Sequence, residues 1–124
     1  MKILVVDDSQ AMRRIVARAV REAGYSGHEF VEAENGRRAL EIVRRERPDL
    51  ILSDWHMPVL DGLELLRALR AERVDVPFGF VASEATEPMI RAAAAAGAVF
   101  LLAKPFTTED MAQVLQTALP SETG

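Results

Sequence analysis

Lys2-Ile3-Leu4-Val5-Val6-Asp7-Asp8-Ser9 is an apolar run of strand length that stops on two carboxylates. The pattern recurs downstream. Leu50-Ile51-Leu52-Ser53 stops on Asp54, and Phe100-Leu101-Leu102-Ala103 stops on Lys104-Pro105. Apolar runs this short, separated by helix-length amphipathic stretches, mark strands buried on both faces of a helix-covered parallel sheet. Open sheets of that kind bind ligands beyond the carboxyl ends of their strands, near the reversal in strand order. Asp7, Asp8, Asp54 and Lys104 are therefore expected to converge in one shallow pocket. Carboxylates packed that closely repel and need a cation to stay ionised. Magnesium suits one or two carboxylates plus phosphate oxygens, and manganese is an acceptable substitute.

Reading outward from these runs, five strands alternate with five helices. Strand one covers about residues 2–6, and Ser9 is placed to cap the following helix. That helix carries Met12, Ile15, Val16, Ala19 and Val20 as its inward stripe, and Gly24 stops it. Residues 30–33 form a weak second strand, Asn35-Gly36 a turn, and the second helix turns Ala39, Leu40 and Val43 inward before Pro48. After strand three at 50–53, the third helix buries Leu63, Leu66 and Leu69. Strand four spans about 77–81, and the fourth helix starts near Thr86-Glu87-Pro88 and runs through a series of alanines to Gly97. Strand five spans 99–103, and the last helix, from about Thr107, buries Met111, Val114, Leu115 and Ala118. Right-handed crossovers then give an α/β, doubly wound five-stranded parallel sheet between two helical layers. One domain over 1–120 and a short polar tail at 121–124 account for the chain.

The chain has 124 residues, 49% of them apolar, which is enough for one proper core. It has no cysteine, so neither a disulfide nor thiolate chemistry supports the fold, a composition compatible with a cytoplasmic location. No stretch approaches membrane-spanning length, and the run after Lys2 is too short for a signal sequence. A net charge of −4 argues against direct nucleic-acid binding. The pairs Arg13-Arg14, Arg37-Arg38 and Arg44-Arg45 read as solvated helix faces, and His28 as a surface residue.

Each aspartate taken alone reads most simply as a turn residue capping a helix. Asp7, Asp8, Asp54 and Lys104 together at strand ends do not. A carboxylate such as Asp54 can act as a nucleophile and form an acyl phosphate. The transferring phosphoryl group spreads charge over its equatorial oxygens and needs cations beside it. Asp7 and Asp8 could hold magnesium, and Lys104 could contact the phosphoryl oxygens.

These motifs resemble those of the response-regulator receiver domain of bacterial two-component systems, the family that includes the chemotaxis response regulator. Val5-Val6-Asp7-Asp8-Ser9 is similar to its acidic pair, Asp54-Trp55-His56-Met57-Pro58 with Asp61-Gly62 to its phosphoacceptor motif, and Lys104-Pro105-Phe106 to its lysine-proline motif. The resemblance covers roughly residues 1–119 and implies a flavodoxin-like fold with the strand order 2-1-3-4-5. It implies that Asp54 accepts phosphate from a sensor histidine kinase or a histidine phosphotransfer protein. Asp8, Asp54 and the His56 backbone carbonyl would ligate magnesium, with Asp7 acting directly or through water. The Lys104-Pro105 peptide would be cis and aim the lysine at the phosphate. His56 would be an exposed loop side chain, and Trp55 partly exposed beside the site. The implied protein is a signalling phosphoacceptor, not an enzyme, with self-catalysed phosphotransfer and slow hydrolysis. It would be a monomer or weak dimer acting on an unknown protein target.

Two positions depart from the family pattern. The threonine or serine expected at the end of strand four is Ala82, with Ser83 beside it, and a one-residue slip would offer Ser83 instead. The switch aromatic expected three residues before the lysine is Leu101; Phe100 is adjacent, but neighbouring strand residues face opposite ways. A second reading follows, a degenerate receiver that works as a phosphorylation-insensitive interaction module. A phosphatase would need an aspartate where His56 stands, and a flavin site a hydroxyl-rich loop after strand one, where the chain has Asp7-Asp8-Ser9.

Overall fold

The apolar runs form β1 (Lys2–Val6), β2 (Glu29–Ala33), β3 (Leu50–Ser53), β4 (Phe78–Ala82) and β5 (Phe100–Ala103). The structure is a computed structural model that describes residues 1–119. The expected polar tail at 121–124 lies outside the described residues. All strand pairs are parallel, in the order β2-β1-β3-β4-β5. The connections carry α1 (Gln10–Val20), α2 (Gly36–Glu46), α3 (Gly62–Ala71), α4 (Glu87–Ala96) and α5 (Thr108–Ala118). This is the doubly wound architecture expected from the strand–helix alternation, in the flavodoxin-like strand order that the receiver resemblance implies.

Side chains alternate along each strand, so each run feeds two cores. Leu4, Val6, Ile51, Phe78, Phe80 and Ala82 pack on one face with Val43 of α2, Leu65, Leu66 and Leu69 of α3, and Ala93 of α4. Ile3, Val5, Leu50, Leu52 and Val81 pack on the other with Val16 and Val20 of α1 and Met111 and Leu115 of α5. Neither face of the central strands meets water, which is why the sequence shows continuous apolar runs there.

The helix starts follow local chemistry. Ser9, Asn35, Asp61, Thr86 and Thr107 each accept a backbone N–H from the first turn of the helix they precede. Asn35 is therefore the cap of α2 and Gly36 its first residue, where sequence suggested a free-standing turn. After α1 the chain continues through a π-wound turn, Arg21–Tyr25, in which Gly24 takes φ 110° and ends the helical path.

Several burial assignments change. Ile15, placed on the buried stripe of α1, is 51% exposed, while Ala17 is buried. The inward face of α1 is rotated by part of a turn relative to the hydrophobic pattern, so Arg13, Val16, Ala17 and Val20 share it. In α3 Leu65 is fully buried and Leu63 only partly so. Arg13, taken for a solvated residue, has a side chain only 12% exposed. His28 is half-buried, its ring 5.9 Å from that of Tyr25, where a surface position was expected.

Gly79 of β4 sits opposite Phe100 of β5 in register, and the Phe100 ring lies over the space a Cβ would occupy. Only glycine leaves room for the end of that ring at this point of the neighbouring strand. Gly79→Ala is expected to force that ring aside and to cost about 1–3 kcal/mol, typical of overpacking. Urea unfolding of both proteins checks this through the midpoint, with the slope unchanged.

Candidate functional site

Strand register builds the site. Val6 pairs with Ser53, so the next residues, Asp7 and Asp54, emerge side by side. Ala82 pairs with Ala103, which brings Lys104 to the same sheet end. The ladder runs one rung past the strands: Asp54 N–H donates to Val6 (2.9 Å), Lys104 N–H to Ala82 (2.8 Å) and Asp7 N–H to Ala33 (3.1 Å). The backbone at these functional positions is therefore held as firmly as the sheet.

Carboxylate oxygens of Asp7, Asp8 and Asp54 all lie within 4.8 Å of one another. Lys104 Nζ is 3.1 Å from Asp7 Oδ2 and 3.5 Å from Asp54 Oδ2. Asp7 is buried and fully engaged, since its Oδ1 also accepts the Ser9 N–H at 2.9 Å. Asp54 is buried too, with Oδ1 accepting its neighbour's N–H from Trp55 at 2.7 Å. Asp8 is exposed, and among the described residues no donor holds its carboxylate.

The charge balance of this cluster is unfavourable. Three carboxylate pairs repel, and one ammonium attracts two of them closely. Near a protein surface each unit-charge contact at 4 Å is on the order of 4 kcal/mol, so Lys104 alone does not neutralise the group. Burial, and then the negative charge of Asp7, push the Asp54 carboxyl above its ordinary range, against the opposing pull of Lys104 and the Trp55 N–H. The donor atoms are all hard oxygens, and exposed Asp8 leaves one side open for metal-bound water. That set fits magnesium or a similar ion and would not suit a soft metal.

The loop beyond Asp54 is clipped in place. Gly62 N–H donates to the Trp55 carbonyl (2.8 Å) and Gly36 N–H to that of Leu60 (3.1 Å). A Cβ on Gly62 would run into the Asp54 carbonyl and the Phe80 ring, so α3 can start this close to the acceptor only with glycine there. Asp61 is committed to a reciprocal capping box with Glu64 and is not a further member of the cluster. His56 is exposed, and the Lys104-Pro105 peptide bond is cis. Ser83 lies beyond the end of β4 and is exposed, while Ala82 is fully buried within it. Leu101 packs toward the α2–α4 core and Phe100 toward the opposite one.

Trp55 corrects an expectation: it is only 8% exposed, its ring 4.6 Å from that of Phe80 beneath the pocket. Arg13 is the residue that sequence reasoning missed here. Its Nη1 donates to the Asp7 carbonyl at 2.6 Å and its Nε to Glu32 at 2.7 Å. The available signal was its spacing from Val16, Ala17 and Val20 on one helix face.

A buried acid whose folded pKa lies above its unfolded value weakens the fold once it ionises. Stability from this source is present at low pH and is lost as pH rises from the ordinary carboxylate range through the raised value of Asp54. Asp54→Asn is therefore expected to unfold at higher urea than the parent at neutral pH without divalent cations. The gap should shrink as pH falls into the carboxylate range and when magnesium is added. Paired urea titrations across pH, with and without magnesium, check the sign.

A family model described as the response regulator receiver domain matches residues 3–116. Chemotaxis protein CheY of Pseudomonas aeruginosa is 38% identical over 118 residues, covering 94% of each chain. A chemotaxis protein CheY homolog of Campylobacter jejuni is 35% identical over 127 residues, 100% of this chain and 96% of the relative. Among solved structures, chemotaxis protein CheY4 of Vibrio cholerae is similar at a TM-score of 0.83 and 35% identity, over 95% of this chain and 98% of that one. The matched span takes in every strand end that builds the acidic pocket, and the chain belongs to the response-regulator receiver family of signalling phosphoacceptors.

Proposed function

We propose that Asp54 accepts a phosphoryl group from a phosphohistidine, with magnesium bound beside it, and that residues 1–120 act as one receiver unit signalling through its surface. Receiver membership implies a histidine kinase as the phosphoryl source, directly or through a histidine phosphotransfer protein. The observation that carries this reading is the setting of Asp54. It is a buried carboxylate within 4.8 Å of two others and beside a lysine ammonium. A carboxylate oxygen of Asp54 attacks phosphorus, the phosphorus–nitrogen bond of the donor breaks with its electron pair going to nitrogen, and the histidine ring, protonated from solvent, departs as neutral imidazole.

Asp8, Asp54 and the His56 carbonyl would hold the magnesium. Asp7, with both oxygens already accepting protein donors, is suited to act through water. Bound magnesium, with manganese as a substitute, supplies positive charge toward the phosphoryl oxygens. Lys104 supplies a second positive charge from the protein and keeps Asp54 ionised and oriented. A cytoplasmic location and a monomer or weak dimer fit this role. The downstream target is a protein, and the similarity to chemotaxis proteins makes a component of a chemotaxis system the first to test.

Acetyl phosphate with magnesium is expected to add one phosphoryl group, at Asp54. Asp54→Asn or chelation should abolish it on intact-protein mass spectrometry. Undiminished labelling of the asparagine variant would place the acceptor elsewhere.

Ala82 and Leu101 favour a second reading, in which the pocket is kept but the surface responds little. A strand-end hydroxyl would offer the phosphoryl group a charge-assisted hydrogen bond of on the order of 1.5–3 kcal/mol. Ala82 lacks it, and a ligand shifts a conformational equilibrium only by its differential affinity. Beryllofluoride is therefore expected to move backbone amide signals of α4 modestly in the parent and more in Ala82→Thr. Large shifts in the parent, unchanged by threonine, would give the role to Ser83 or another group.

A further inference from the structure

The carboxylate best exposed for metal, Asp8, is also the one that no described side chain or backbone donor holds. Its direction is inherited from the peptide that joins it to Asp7. The backbone of Asp7 is tied on both sides of its Cα. Asp7 N–H donates to Ala33 of β2, and the Asp7 carbonyl accepts Arg13 Nη1 at 2.6 Å. Arg13 is itself held, Nε to Glu32 Oε1 at 2.7 Å, and its side chain is only 12% exposed. The planar guanidinium offers its N–H groups in a fixed fork, so one group grips α1, β2 and the carbonyl between the two aspartates at once. A cation beside an acidic metal pocket is otherwise a poor placement, because its field opposes magnesium.

We propose that Arg13 is a positioning residue for the metal-binding limb of this pocket: anchored on Glu32, it fixes the Asp7–Asp8 peptide so that the Asp8 carboxylate stays turned into the cluster. This rests on the reading of the pocket as a magnesium-dependent phosphoacceptor site. Charge and positioning make opposite predictions for removing the guanidinium. On charge alone, Arg13→Ala deletes a repelling cation and tightens magnesium binding. On positioning, the Asp7–Asp8 peptide is released, Asp8 samples directions outside the cluster, and binding weakens. Residues that orient metal ligands typically change affinity by ten- to a hundredfold when removed.

Calorimetric magnesium titrations of the parent, Arg13→Ala and Arg13→Lys, at one ionic strength, test it, with melting temperatures measured alongside. Arg13→Ala is expected to raise the magnesium Kd about tenfold. Arg13→Lys keeps the charge but loses the two-point grip, and should raise it by less. A role in stability alone would lower the melting temperature and leave the Kd of the folded protein unchanged. An unchanged or tighter Kd in Arg13→Ala overturns the proposal. Should that variant not fold, Arg13→Lys decides: weaker binding supports positioning, and an unchanged Kd overturns it. A parent that takes up no magnesium brings down the phosphoacceptor reading as well. A normal parent isotherm with unaltered variants brings down this proposal alone.

Discussion

The chemistry of this protein depends on one constraint, the level alignment of parallel strand ends. Because Val6 lies opposite Ser53, the residues that follow, Asp7 and Asp54, are forced together at the sheet edge. The sheet hydrogen bonds that impose this are many and buried, so they outweigh the repulsion of two carboxylates. The cost is stored locally. It appears as an Asp54 carboxyl pushed above its usual range and as a lysine drawn in from the end of β5. A site that is unstable without positive charge is ready to receive a metal ion and a phosphoryl group.

Rigidity under the pocket complements that stored repulsion. Phe78, Phe80 and Trp55 form a contiguous aromatic cluster, Phe78 edge-on to Phe80, with ring separations of 5.1 and 4.6 Å. Gly62 lets α3 begin against the Asp54 carbonyl, and the Asp61 capping box fixes where it begins. The acceptor is therefore packed against its neighbours, while Asp8 is the exposed member of the cluster. The side of the domain toward α4 is built differently. It carries small residues, with Ala93 as the only fully buried position of α4, and Leu101 beneath it in place of an aromatic ring. The acidic pocket and this lightly packed face therefore sit on the same sheet.

Much of this was legible in the linear chain because the underlying rules are local. Buried parallel strands need continuous apolar runs, caps need Ser, Thr, Asn or Asp, and a receiver's charged residues must follow its strands directly. Ile3–Val6, Leu50–Ser53, Ser9, Thr107 and the Asp7-Asp8, Asp54 and Lys104 set were all readable on those grounds. The misplacements share another cause. Ile15, Leu63 and Arg13 depend on the rotation of a helix about its own axis, which the opposing sheet surface sets and hydrophobic spacing only approximates. Trp55 looked like a loop residue next to charge, and its burial follows from a partner, Phe80, that is remote in sequence.

The sequence by itself determined the fold class and the identity of the charged cluster, because strand–helix alternation calls for a doubly wound sheet and the charges follow its strands. The strand order came from the resemblance of its motifs to a receiver's. Tertiary structure alone decided how each charge is held. It made Asp7 a doubly bonded anchor, left Asp8 open, gave Asp61 to a helix cap and turned Arg13 from a surface cation into the clamp on the Asp7 carbonyl. Those assignments rest on distances between segments far apart in the chain, such as the 3.1 Å from Lys104 to Asp7, and Coulomb and hydrogen-bond energies depend on separations that no local pattern encodes.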